Sequence, residues 1–186
     1  NIKLEDVPES DRLYEIVNGK KVWLPLRSVY ACVVAHNFVE RLHDYSENWR
    51  RGHCYINMPY EVPVGSNTVR RPSGSFVSAE RLRARGRLDP LKEGNPVVPE
   101  LVVEVLGVDD CAETTMRKVH EYLRAGVELV WVVFPRVRQL YAYTAIATAP
   151  RVFTEADHLD AGNVLPGFSI PLAPLFPGAQ PDAENE

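Results

Sequence analysis

Little in this sequence supports a disulfide-bonded or membrane-spanning protein. Its 186 residues include only three cysteines, Cys32, Cys54 and Cys111, an odd number set far apart. With no CxxC pair and no HxxxH companion, they exclude a disulfide scaffold and a zinc finger and point to a reduced, cytoplasmic protein. No apolar run approaches the roughly 20 residues of a spanning helix, so no membrane partner is expected. Internal repeats and a dividing linker are also lacking, so one domain is expected over residues 1–177, with a loose acidic tail at 178–186. An opening Asn1 in place of Met is expected of a trimmed tag or leader. Nor is there an excess of positive charge. The formal net charge is −4, which excludes a molecule that binds nucleic acid by bulk electrostatics alone.

What is present is an ordinary globular composition, 45% apolar and 25% charged, with an uneven spread of charge. Between Arg50 and Arg87, the arginines 50, 51, 70, 71, 81, 83, 85 and 87 face only Glu61 and Glu80. Such a segment reads as a solvated surface or, more sharply, as a phosphate-facing stripe.

Leu13–Val17 and Val22–Leu26 read as strands joined by Asn18-Gly19, the strongest short hairpin signal. A helix is expected from Ser28 as N-cap to Tyr45, with Cys32, Ala35, Val39 and Leu42 on one face. Strands are expected over Tyr55–Val62 and Thr68–Ser78, with Pro72 marking an edge, a bulge or a late start in the second. A short helix over Ala79–Arg87 follows, then a loop to Pro96. A buried strand over Val97–Leu106 precedes a helix over Glu113–Ala125, stopped by Gly126. Leu129–Phe134 and Gln139–Tyr143 should pair antiparallel. A short strand near Arg151–Thr154 and a closing segment over Val164–Leu175 complete the chain. This order describes an α/β (α+β) three-layer domain: a central mixed sheet flanked by helices, with a parallel crossover from the Glu104 strand to the Val130 strand.

The run Pro99-Glu100-Leu101-Val102-Val103-Glu104-Val105-Leu106 carries the chemistry. An ionised carboxylate in a core strand costs several kcal/mol unless a metal, a cation or water meets it. Glu100, Val102 and Glu104 share one face, but the two acids stand about 13 Å apart, too far to chelate one ion. Only Glu104 lies at the C-terminal end of the strand, where open α/β sheets place their sites. Lys118, on the following helix, is within folding reach. It is either half of an ordinary surface pair with Glu121 or a catalytic cation. Glu15, just before a tight turn, reads alone as a surface acid. Ser73 has no GxSxG context and no adjacent base. His36, His43, His53, His120 and His158 show no zinc-ligand spacing, and Trp23, Trp49 and Trp131 are not spaced as a stacking platform.

Five segments taken together resemble the Uma2 family of bacterial restriction-endonuclease-like proteins, within the PD-(D/E)xK superfamily. They are Tyr14–Gly19, Val69–Ser78, Pro99–Leu106, Lys118–Val133 and Val164–Pro171. The resemblance implies a metal-dependent endonuclease acting on DNA. Its catalytic positions fall on Glu15, Ser73, Glu104 and Lys118, and its metal-holding positions on Glu104 and Ser73. Acids would hold Mg²⁺ or Mn²⁺, which activates water and stabilises the developing charge, and the lysine would steady the water or the departing oxygen. It also implies a homodimer, which the apolar hairpin strands would suit. The family's aspartate is Ser73 here, and a neutral hydroxyl should lower affinity for a hard cation sharply. The family also usually has an acid at Lys20, an aspartate at Glu100 and Ser-Pro at Gly107-Val108. The site is then degenerate, with a binding role as the alternative, unless another acid such as Glu61 substitutes in space.

Overall fold

A computed structural model describes residues 3–46, 50–62, 67–85 and 94–178. The expected acidic tail beyond Gly178, together with Trp49 and Arg87, lies outside the described residues. The centre is a six-stranded mixed sheet in the order β10-β9-β8-β7-β6-β3. Its strands are β3 (Gly52–Ile56), β6 (Gly74–Ser78), β7 (Leu101–Val105), β8 (Leu129–Phe134), β9 (Gln139–Tyr143) and β10 (Arg151–Thr154). Only β7 and β8 run parallel; the other pairs are antiparallel. A second sheet has the order β2-β1-β5-β4, built from β1 (Tyr14–Val17), β2 (Lys20–Trp23), β4 (Tyr60–Glu61) and β5 (Val69–Arg70). A small pair, β11 (His158–Asp160) and β12 (Ser169–Pro171), completes the strands.

Alternation along β7 sends its residues into two cores. Leu101, Val103 and Val105 join Trp131 and Val133 of β8 under helix α1 (Val29–Tyr45), which contributes Val34, Phe38 and Leu42. Val102, Val130 and Val132 face helix α3 (Ala112–Ala125), which contributes Val119 and Tyr122. Helices therefore cover both faces, as the element order predicts, and Glu104 points to the α3 side. Ser28 caps α1 by accepting from the Ala31 N–H at 3.2 Å, and α3 ends on Gly126 in the left-handed conformation, φ 100°. Gly74 lets α1 approach the sheet: a β-carbon there would lie 2.7 Å from Val39 Cγ2.

Two expected strands are each split. Tyr55–Val62 becomes the end of β3 and, after a bend, β4 in the other sheet. Thr68–Ser78 becomes β5 and β6, again in different sheets. Pro72 has no N–H to donate to a ladder and sits at this break. The break positions the site. Arg70 stays with β1, while Ser73 enters beside β7, one step beyond the Gly74–Val103 pair.

Two arginines of the basic segment, Arg70 and Arg81, are committed to acids. Arg81, in the short helix α2 (Ala79–Arg85), lies 3.0 Å from Glu100 and also pairs with Glu128. Glu100 in turn accepts from the Ser78 N–H at 2.8 Å. That acid therefore ties α2 to the sheet.

All three cysteines are free thiols. Burial pushes the Cys54 thiol up to about 12, whereas the N–H groups of Thr114 and Glu113 lower that of exposed Cys111 at the start of α3. Iodoacetamide is therefore expected to modify Cys111 fastest and to leave Cys54 untouched in the native protein, as peptide mass mapping would show.

Candidate active site

Three of the four predicted residues meet in one buried ion cluster. Glu15 of β1 is 2% exposed. It is no surface acid, because cations from two other elements converge on it. Lys118 Nζ of α3 lies 2.8 Å from its Oε1. The Arg71 N–H donates to that same oxygen at 3.0 Å, and Arg70 Nη1 to Oε2 at 2.8 Å. Lys118 also lies 3.7 Å from Glu104 Oε1, which accepts from the Tyr122 hydroxyl at 2.8 Å. The surface pair between Lys118 and Glu121 does not form. Glu121 instead accepts from Arg70 Nε at 2.6 Å.

The electrostatics follow from burial and this pairing. Burial raises the Glu15 carboxyl, but Lys118, Arg70 and the Arg71 N–H outweigh it and hold the group below its ordinary value of 4.5. Glu104 goes the other way. Its burial is the larger effect and Glu15 adds repulsion, so the carboxyl is raised despite Lys118, Arg27 and Tyr122. Burial would lower Lys118, yet Glu104 and Glu15 together raise it. Two acids with divergent proton affinities share one lysine, as in sites that move protons.

Ser73 is buried beside this cluster. Its Oγ accepts from the Val105 N–H at 2.9 Å and from Arg27 Nη1 at 2.6 Å. Arg27 comes from the loop between β2 and α1, where no local motif singles it out. Glu61 does not replace the missing acid. It is exposed on β4, away from the cleft over the cluster. That cleft, of about 160 Å³, is lined by Glu15, Glu104 and Asp110, by Arg27, Arg70, Arg117 and Lys118, and by the apolar rim of the β1–β2 hairpin.

The family model described as "putative restriction endonuclease", Uma2, matches residues 3–173. The chain belongs to the Uma2 family. A solved structure described as a putative nuclease belonging to DUF820, from Anabaena variabilis ATCC 29413, superposes with a TM-score of 0.77 over 95% of this chain and 98% of that one, at 15% identity. It shows the same fold. No curated protein matches the chain. The nuclease-like fold expected of an Uma2 protein is thus in place. Among the described residues, no helix is long and apolar enough to cross a membrane.

Restriction-endonuclease-like nucleases generally use divalent metals, but the donor set here does not fit one. A hard cation needs several oxygen donors, carboxylates foremost. Among the described residues, no three His, Cys, Asp or Glu side chains are grouped to hold an ion. Of the two positions where the resemblance leads one to expect metal ligands, Glu104 already has Lys118 and Tyr122, while Ser73 already accepts from a guanidinium.

Proposed function

We propose that this Uma2 protein engages the phosphodiester backbone of DNA at the Glu15–Glu104–Lys118 cleft, and that its present sequence hydrolyses DNA slowly or not at all. Supporting the first half are the family, the fold, and a lining with four basic against three acidic side chains. The second half rests on one observation: a neutral hydroxyl, bonded to Arg27, stands where the family pattern has a metal-holding carboxylate. Glu15 and Lys118 act as a positioning pair. Glu15 is saturated with donors and fixes the lysine, whose charge faces Glu104 and the cleft.

DNA affinity should fall steeply with salt, since each neutralised phosphate releases about one counterion. Plasmid nicking by the unmodified protein should stay within about tenfold of the Glu104→Gln variant, given the several kcal/mol that a well-held metal would have supplied. A nicking rate about 100-fold above that variant would refute the degenerate-site half. A salt-independent affinity, or none, would refute the DNA half and favour a protein partner.

The same proposal includes a homodimer formed through the hairpin face, where Val22, Leu26 and Val29 are exposed. Sedimentation of the protein and of a Val29→Glu variant tests it, with a dimer expected only for the former.

A further inference from the structure

We propose that the Arg27 guanidinium takes the place of the divalent cation, making the cleft a metal-independent site for a phosphate group. This deepens the proposed function and rests on it for the identity of the phosphate as part of DNA.

Three observations converge. Arg27 donates to Ser73 Oγ at 2.6 Å and exerts a favourable field on Glu104. One positive charge therefore bonds to Ser73 and acts through space on Glu104, the two positions where the resemblance expects metal ligands. Second, Arg27 and Arg117 line the cleft and form no ion pair among the described residues, unlike Arg70 and Lys118, which are committed to Glu15. Neither has an acid partner among the described residues that would compete with an incoming anion. Third, Arg70 also lines the cleft, is 1% exposed, and has its buried Nη2 without a hydrogen-bond partner among the described residues. A buried donor left unmatched costs free energy that an acceptor oxygen would recover.

Guanidinium groups suit this role because their planar N–H pairs match phosphate oxygens two at a time. A guanidinium cannot, however, lower the pKa of a bound water as a metal does. Binding is thus kept while the means of generating hydroxide is not. The geometry also explains why restoring the acid alone should fail. A carboxylate introduced by Ser73→Asp would lie against Arg27 and pair with it, leaving no open position for an ion.

The experiment has two arms. Mn²⁺ is titrated calorimetrically into the unmodified protein, Ser73→Asp, and Arg27→Ala/Ser73→Asp. Binding is expected only in the double variant, at least about tenfold tighter than in the other two. In the second arm, binding of a fluorescent DNA duplex is measured in EDTA and in Mg²⁺. The unmodified protein should bind equally in both, Arg27→Ala about tenfold more weakly, and Arg27→Lys should recover part of the loss.

Tight Mn²⁺ binding by the unmodified protein, or DNA binding that requires Mg²⁺, would overturn the inference without touching the DNA reading. No DNA binding by any protein, with Mn²⁺ bound only by the double variant, would overturn the DNA reading and leave Arg27 as the cation's replacement. Should the double variant fail to fold, the measurements on the unmodified protein still decide.

Discussion

Replacing Arg70 with methionine is expected to remove about 3–5 kcal/mol of stability, the range for breaking one side of a buried ion pair. The side chain is 2% exposed and is shared by two acids, Glu15 at 2.8 Å and Glu121 at 2.6 Å. Methionine fills most of the volume but leaves both carboxylates short of a donor in a site with little water to replace it. The comparison is Arg41→Ala. That residue's partner, Asp44, is 3.1 Å away but both side chains are largely exposed, so the loss should be at most about 0.5 kcal/mol. Urea unfolding of both variants measures the difference. A second variant, Arg70→Met with Glu15→Gln, should recover part of the loss, because the neutral amide no longer demands a cation. A loss below about 1 kcal/mol in Arg70→Met would mean that the cluster does not hold β1, β5 and α3 together.

This network also shows what the sequence disclosed and what it did not. Local elements were legible wherever hydrophobic period and punctuation agreed. The α1 helix with its Ser28 cap, the β8–β9 pair and the Gly126 stop of α3 were all expected and are all present. Glu104 was legible because an acid in an apolar strand needs a partner, and Lys118 proved to be one. Residues whose surroundings come from distant chain were not. Glu15 looks exposed in its own hairpin, and its burial depends on Arg70, 55 residues away, and on Lys118. Helical spacing alone pairs Glu121 with Lys118, but the buried Arg70 takes it instead. Arg27 follows a strand end and precedes a helix cap, with nothing local to mark it. Only the close approach of its loop to the β5–β6 break brings it onto Ser73. The splitting of Thr68–Ser78 between two sheets was signalled by Pro72, but the signal fixed neither the sheet change nor its direction. That change separates Arg70 from Ser73 and so divides structural from candidate catalytic roles within four residues.

Lys118→Met is expected to destabilise the protein by about 3–5 kcal/mol at neutral pH but by less than about 2 kcal/mol near pH 4. The pH dependence is diagnostic because the three groups respond in different directions. Glu15, held below 4.5, stabilises the fold above that value, and the contribution is lost as pH falls through its lowered value. Glu104, held above 4.5, does the reverse: the native state retains a proton that the unfolded chain has released, so stability declines as pH rises from 4.5 towards its raised value. Lys118, raised above 10.5, contributes fully below that value and loses its contribution only as pH rises through its folded value. Removing the lysine deletes the strongest force lowering both acids. Both should then hold protons more tightly in the folded state than in the unfolded one, so stability should fall with rising pH at up to about 1.4 kcal/mol per pH unit for each proton retained. Below pH 4.5 the unfolded chain takes up the same protons, so the variant's loss narrows, and the part owed to Glu15 closes as pH falls through that group's lowered value. Denaturant unfolding of the two proteins across this range measures the gap directly. A gap that stays constant with pH would show that Lys118 does not neutralise the two buried acids, and the cluster would lose its standing as a candidate active site.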